Sequence, residues 1–427
     1  MEPLVIVLFV TFLVLLMMGV PVAYSLGMSS MVYLLGAGID LFAIPQKMYG
    51  GIDSFVLLCI PGFVLAGNLM NVGGITQRIV NFANAVLGHI TGGLGLANVA
   101  SSMVFAGISG TAVADTASVG GIMIPAMEKS GYDTDFACAV TAASSTIGPI
   151  IPPSVPMIIA GTLTGISVGK LFIAGLIPGI LIGIMQMVVV YIISKKRKYP
   201  KEERKSLKVM GKAFIDAFWA ILMTIIILVG ILGGIFTPTE AAIIAVLYAL
   251  VIGIFVYKEL KIKMLPKILA ESARSSASIL MLVGFANVFA WILASEQIPQ
   301  MIANGILGIS TNKIVVLLLI NLLLLFVGMF METISALVIL FPVLLAVTRT
   351  LGVPDIQFAV MAVLNLIIGL VTPPVGVCLF VSSNIGKISL GRISKAIMPF
   401  LCANIVVLLL VTFFEPITMW LPKMMGL

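Results

Sequence analysis

Charge is what this chain has least of. Asp, Glu, Lys and Arg make up 10% of its 427 residues, against 61% hydrophobic residues and a mean hydropathy of +1.23. A soluble domain cannot hide that much apolar surface, so a soluble enzyme is excluded. The polar–apolar alternation of a membrane barrel is missing as well. Apolar runs of about 20 residues recur from end to end instead, the pattern of an all-α polytopic membrane protein. Cysteine is sparse: Cys59, Cys138, Cys378 and Cys402 stand singly in apolar segments. That spacing makes neither a metal cluster nor an obvious disulfide, and they read as small buried hydrophobes. No phosphate-loop or ATPase signature supports a pump. The apolar N-terminus has no basic region ahead of it, the first Lys or Arg being Lys47, so it reads as a retained helix. His89, the single histidine, reads as solvated or interfacial.

What is present falls into two halves. The densest charge run, KKRKYPKEERKSLKVMGK over 195–212, cuts the chain near its middle and is expected in the cytoplasm by the positive-inside rule. The first half, 1–194, is expected to hold helices within 3–72, near 3–20, 21–38 and 54–72 with a loop between the last two, a short amphipathic arm at 75–89, an apolar stretch with a polar centre at 92–128, an interrupted segment at 135–163 and a helix at 170–194. The second half, 213–427, repeats the order: helices within 213–295, near 213–236, 238–256 and 275–295, an arm at 297–310, then 313–348, 356–385 and 389–420. Pro21 and Pro238 differ by 217, as do Asp115 and Glu332, and Pro125 and Pro342; Gly148 and Gly369 differ by 221; Ile75 and Ile298, like Asn81 and Asn304, by 223. A nearly constant offset marks an internal repeat. If 92–128 and 313–348 are re-entrant hairpins, each half crosses the bilayer about five times. An odd number inverts one half relative to the other. Charge agrees: with 195–212 inside, both termini lie outside, and Arg78, Lys129, Lys258, Lys261, Lys263, Lys267, Arg274, Lys387, Arg392 and Lys395 fall inside. Only Lys47, Lys170, Lys313, Arg349 and Lys423 fall outside.

Two stretches break their own helices. STIGPIIPPSVP (145–156) and LIIGLVTPPVGV (366–377) each carry a glycine followed four residues later by a proline pair. Proline removes a backbone donor and clashes with the preceding turn, so neither run is continuous helix. Non-helical backbone at membrane depth is tolerated where it is buried in protein or lines a wet cavity. Freed carbonyls suit Na⁺, and freed amides at half-helix N-termini suit a carboxylate. The hairpin centres AGISGTAVADTAS (106–118) and VGMFMETIS (327–335) offer the same chemistry. One Na⁺ is therefore expected among Gly107, Ser109, Gly110, Asp115, Gly148 and Ile151. A second is expected among Gly328, Glu332, Thr333, Gly369, Thr372 and Val375. Substrate is expected between them, at Ser109, Thr111, Ser145, Thr146, Pro152, Asn365, Thr372 and Pro373. Asp115 and Glu332 either ligate the ions or hold the tips closed. Asn68 and Asn287 read as interhelical hydrogen-bond glue, and the arms as interfacial braces.

At these motifs the chain resembles the large, DctM-type membrane subunit of tripartite ATP-independent periplasmic (TRAP) transporters, over essentially its whole length. The resemblance implies an elevator-type fold in a bacterial inner membrane, with a transport block of hairpins and broken helices sliding against a scaffold. It implies uptake driven by a Na⁺ gradient, a periplasmic binding protein that delivers substrate, and a small four-helix membrane subunit, expected here as a separate chain in 1:1 ratio. Family substrates are organic acids, sialic acid or C4-dicarboxylates, and the overall look leans to the sialic-acid branch. Nucleic acid is not an expected partner, and the chain is not expected to be an enzyme. Carrying a bare carboxylate across the bilayer costs several kcal/mol, so at least two Na⁺ per substrate are expected. Two other readings stand beside this one. The first is a stand-alone Na⁺- or H⁺-coupled anion carrier of the same superfold. The second is an intramembrane aspartyl protease using Asp115 and Glu332 as its carboxylate pair.

Overall fold

The structure is a computed structural model and describes residues 3–309 and 312–426. Every regular element among them is helical. The first half runs α1 (Pro3–Met17), α2 (Val22–Gly36), α3 (Ala43–Ile52), α4 (Cys59–Val72) and α5 (Ile75–Leu87). It continues with α6 (Gly93–Ser109), α7 (Ala112–Lys129), α8 (Thr134–Ser145), α9 (Val155–Thr164) and α10 (Val168–Arg197). The second half runs α11 (Leu207–Leu232), α12 (Pro238–Val251), α13 (Leu265–Ser295), α14 (Ile298–Ile309), α15 (Lys313–Phe330) and α16 (Thr333–Thr350). It ends with α17 (Asp355–Gly369), α18 (Val377–Gly386), α19 (Leu390–Ala396), α20 (Met398–Phe413) and α21 (Pro416–Met424).

Among the described residues seven helical runs are long and apolar enough to cross a bilayer alone, or eight if α19 and α20, bent by 52°, form one span. Two of the seven are α15 and α16, so five of the ten expected crossings reach that length alone; of the others, α1 and α2 stop at 15 residues and two are interrupted. A hydrocarbon core about 30 Å thick needs about 20 helical residues. The proline pairs stop the ladder halfway, so α8 with α9, and α17 with α18, can cross only as pairs. The limbs α15 and α16 do reach spanning length. What sets them apart from ordinary spans is the acid, Glu332, at the turn between them.

The halves pack reciprocally. α7 and α8 lie against α18, while their counterparts α16 and α17 lie against α9; α2 packs on α13, and α12 packs on α4. Two copies related by a two-fold exchange partners in this way. Helix boundaries fix the register: α7 and α16 begin at 112 and 333 and end at 129 and 350, and α8 and α17 begin at 134 and 355. All three offsets are 221, the value for Gly148 and Gly369. The acid and proline pairs at 217 are thus one turn out of step. Glu332 caps α16 at the position that Thr111 holds before α7, whereas Asp115 lies a turn inside α7.

Several elements differ from the sequence reading. α3 falls in a stretch read as loop. α13 starts ten residues before Ser275, α10 runs on to Arg197, and α11 starts inside the basic run. Ser206 begins α11 by accepting from the Val209 amide, and Thr237 with Glu240 forms a capping box on α12. All four cysteines are free; three are buried as expected, but Cys402 is exposed on the outer face of α20. The basic run is docked rather than loose. The Glu202 amide donates to Gly88 O (2.9 Å), Tyr132 Oη to Pro200 O (3.2 Å) and Tyr199 Oη to Asp133 Oδ2 (2.7 Å). Arg197 also meets Asp133 at 2.9 Å. The Tyr199 hydroxyl, and then Arg197, hold the Asp133 carboxyl below its usual range.

Candidate functional site: two tip-to-break junctions

Each hairpin tip meets the break of its own half. At the first, α6 ends in Gly110, whose left-handed φ of +62° brings its α-carbon against the break. A Cβ there would lie 2.8 Å from the Pro153 carbonyl oxygen. A Cβ at Gly148 would lie 3.6 Å from the Thr111 carbonyl oxygen and 3.8 Å from Asp115 Cβ. At the second, a Cβ on Gly369 would overlap the Gly328 backbone, and the Gly376 amide donates to Met329 O at 3.4 Å. Glycine is required because backbone meets backbone. Both breaks contain a cis peptide, Pro152-Pro153 and Pro373-Pro374.

The breaks leave oxygens without donors. The carbonyls of Ile151, Pro152 and Pro153 in the first, and of Thr372, Pro373 and Val375 in the second, accept no hydrogen bond from another described residue. Buried side-chain oxygens join them. Both Asp115 carboxylate oxygens are fully enclosed without a hydrogen-bond partner. Ser102, beside the carboxylate, is bonded instead to Ser144 at 2.9 Å. Thr333 Oγ1 and Asn365 Oδ1 are likewise buried and unpartnered. Burying such groups unpaired is costly, and an oxygen-rich, donor-poor pocket is the environment a hard cation satisfies. Thr372 donates to Ile368 O (2.7 Å), which leaves its oxygen free to accept.

The junctions are unequal. Ile151 stands where the second half has Thr372, and its side chain packs on Gly179. The first break is wholly buried, whereas Glu332 and Pro374 are exposed and Pro373 is half-buried. Glu332 is already engaged: its Oε2 accepts from the amides of Ile334 (2.9 Å) and Ser335 (3.3 Å). That makes it a helix cap. The two junctions also touch, since Cys378 at the start of α18 lies beside Thr116, Ser145 and Asp115.

Two expected site residues face other work. Thr146 donates to Ala143 O (2.6 Å) and receives from Gln186 Nε2 (3.3 Å) and Asn404 Nδ2 (3.4 Å), so its hydroxyl is saturated and has no place left for substrate. Gly107 is filled from the other side, by Thr224 of α11. Ser145 donates to Ala142 O at 2.8 Å and keeps acceptor capacity. The Ser109 side chain lies outside the described residues, as does that of Asn304. Asn68 Nδ2 bonds Ser272 Oγ (2.8 Å) and Asn287 Nδ2 bonds Lys47 O (2.8 Å), each joining two helices. Asn365, expected at substrate, gives its amide to Asn321 O (2.9 Å) and Oδ1 (2.7 Å).

Sequence reasoning passed over Gln186 and Asn404, which bond each other at 2.9 Å and tie α10 and α20 to the first break. The available signal was a lone amide in an apolar span. It also passed over a cavity of about 310 Å³ between the first tip and helices α4 and α13, lined by Asn68, Asn71, Phe105, Thr111, Ser118 and Ser275. On α7, Ala114, Ala117 and Ser118 face this space, while Asp115 is buried towards the break.

The family described as "Tripartite ATP-independent periplasmic transporter, DctM component" matches residues 9–417. The chain is 45% identical over 413 residues to the sialic acid TRAP transporter large permease protein SiaM of Vibrio cholerae, covering 96% of each chain. It is 38% identical over 404 residues to the C4-dicarboxylate TRAP transporter large permease protein DctM of Pseudomonas aeruginosa, covering 94% of this chain and 95% of that one. Among solved structures, the Alcanivorax borkumensis YdaH transporter superposes with a TM-score of 0.63 at 15% identity, covering 88% of each chain, a likeness of fold alone.

Proposed function

The chain belongs to the DctM component family of tripartite ATP-independent periplasmic transporters, and from that premise we propose that it is the large membrane subunit of a Na⁺-driven importer of an organic acid. Membership makes it a transport component of a multi-pass inner membrane protein complex and not an enzyme, which retires the protease reading. The observation that carries the coupling ion is the pair of tip-to-break junctions, where donor-free carbonyls face buried, unpartnered oxygens. In the first, Asp115 with the donor-free carbonyls of Ile151 and Pro152, and the Thr111 carbonyl that already accepts from the Asp115 amide (3.2 Å), would hold Na⁺. In the second, Thr333, Thr372, Asn365 and the Val375 carbonyl would. Neutralising Asp115 before the site moves removes the cost of carrying a bare carboxylate through the bilayer.

Substrate sits in the cavity between the first tip and the scaffold formed by α1–α4 and α11–α13. It is thereby held at the boundary along which the transport block slides, which is what an elevator requires. The names of the two relatives described above point to a carboxylate, with sialic acid favoured by the higher identity. Halves 1–194 and 213–427 are inverted about a cytoplasmic linker at 195–212, which leaves both termini periplasmic. A small membrane subunit and a periplasmic binding protein complete the tripartite assembly.

The test is reconstitution into liposomes with an inward Na⁺ gradient. Uptake of radiolabelled sialic acid should need the small subunit and the binding protein as well as this chain, and should stop when K⁺ replaces Na⁺. Uptake by the chain alone would reject the tripartite reading, and uptake indifferent to the cation would reject the coupling.

A further inference from the structure

We propose that the cytoplasmic junction between α5 and α11 is a binding site for the phosphate headgroup of an anionic phospholipid. A cavity of about 280 Å³ opens there, lined by Arg78, Asn81 and Asn84 of α5, Lys205 of the docked linker, and Lys212 and Asp216 of α11. Three cations thus face one acid, with two side-chain amides beside them. Arg78 meets Glu259 at 2.8 Å and Lys205 meets Glu202 at 3.1 Å, both at partly exposed rims. Lys212 makes no ion pair among the described residues. The placement is built rather than incidental. The Glu202 amide on Gly88 O and the Asn84 side chain on Glu202 Oε1 (3.0 Å) pin the linker to the arm, which delivers Lys205 to the cavity.

The surroundings select a lipid over a free anion. Lys212 is the last cation, and Asp216 one turn on the last charge, before α11 turns apolar, so the cavity lies where headgroups lie. Below it, Phe82 of α5 and Phe214 of α11 stand 5.6 Å apart, and Phe214 and Phe218 6.0 Å apart. Leu207 and Ile215 are 82% and 66% exposed on the same helix, a surface for acyl chains. The segment 195–212 carries nine Lys or Arg against two Glu, the composition that draws anionic lipid to a juxtamembrane site. A lipid held here would bridge the arm and the scaffold helix.

The experiment titrates the purified full-length chain, in detergent, with dioleoylphosphatidylglycerol, dioleoylphosphatidylcholine and inorganic phosphate in separate arms. The readouts are melting temperature and bound lipid by native mass spectrometry. Phosphatidylglycerol should raise the melting temperature saturably with one tightly held molecule, and the other two arms should not. The Lys205→Ala/Lys212→Ala double variant should bind phosphatidylglycerol about thirtyfold more weakly. Lys395→Ala, on the same membrane side but outside the cavity, should bind as wild type does. Equal effects of the two lipids, an effect of phosphate alone, or wild-type affinity in the double variant would each overturn the proposal.

Discussion

Gly369→Ala strikes the point where the second tip touches its break. An alanine methyl there would stand 2.6 Å from the Gly328 α-carbon, where unbonded carbons rest at about 3.5–4.0 Å. Something must yield by about 1 Å. What the methyl meets is backbone, so the tip moves as a unit. Overpacking of this kind costs about 1–3 kcal/mol. The Gly376–Met329 hydrogen bond, already 3.4 Å long, breaks with it. If Na⁺ is held at this junction, the loss appears as an increase of about 5- to 150-fold in half-saturating Na⁺. The assay is Na⁺-dependent uptake in proteoliposomes carrying the full assembly, at matched protein content. Gly121→Ala in α7 is the control, since nothing lies within 4 Å of its Cβ and alanine favours helix by about 0.5–1 kcal/mol. A Gly369→Ala protein that incorporates normally and titrates with Na⁺ as wild type does would refute the placement of the second site.

Two further outcomes follow from the geometry. Asp115→Asn keeps the shape of a side chain that makes no hydrogen bond, so melting should stay within about 2 °C while Na⁺-driven uptake falls at least tenfold; retained uptake would remove the acid from the ion site. Tyr199→Phe removes the hydrogen bond that does most to lower the Asp133 pKa. A lowered carboxyl stabilises the fold above its unfolded value near 4 and loses that contribution as pH falls through the folded value. The melting gap between wild type and Tyr199→Phe should therefore be present at pH 7 and shrink towards pH 3. A gap constant across that range would mean the hydroxyl acts through packing alone.

The two breaks were legible because Gly and Pro-Pro leave the backbone no helical option, and the hairpin tips because an acid in an apolar run needs a reason. The pairing of Asp115 with Glu332 misled because four residues make roughly one helical turn. A slip of that size keeps the apolar face intact, so periodicity cannot detect it; only the caps at Thr111 and Glu332 do. Thr146 looked free because its partners, Gln186 and Asn404, lie 40 and 258 residues away. The α3 sequence AIPQKMYGGI carries a proline and two glycines and reads as loop, yet α13 packs on it and Asn287 bonds its Lys47 carbonyl. α13 starts early because Ile268 and Ser272 are buried on its inner face, Ser272 accepting from Asn68, while Lys267 and Glu271 on its outer face alone suggested a loop.

Sodium-dependent melting of the purified chain tests the central claim most directly, because it needs neither substrate nor partner. A ligand that binds only the folded state adds about 2.7 kcal/mol at a hundred times its Kd. NaCl should raise the melting temperature saturably above KCl at equal ionic strength. Thr372→Ala and Asp115→Asn should each remove part of the rise, and the double variant all of it. Identical curves in NaCl and KCl for the wild-type chain would contradict the account.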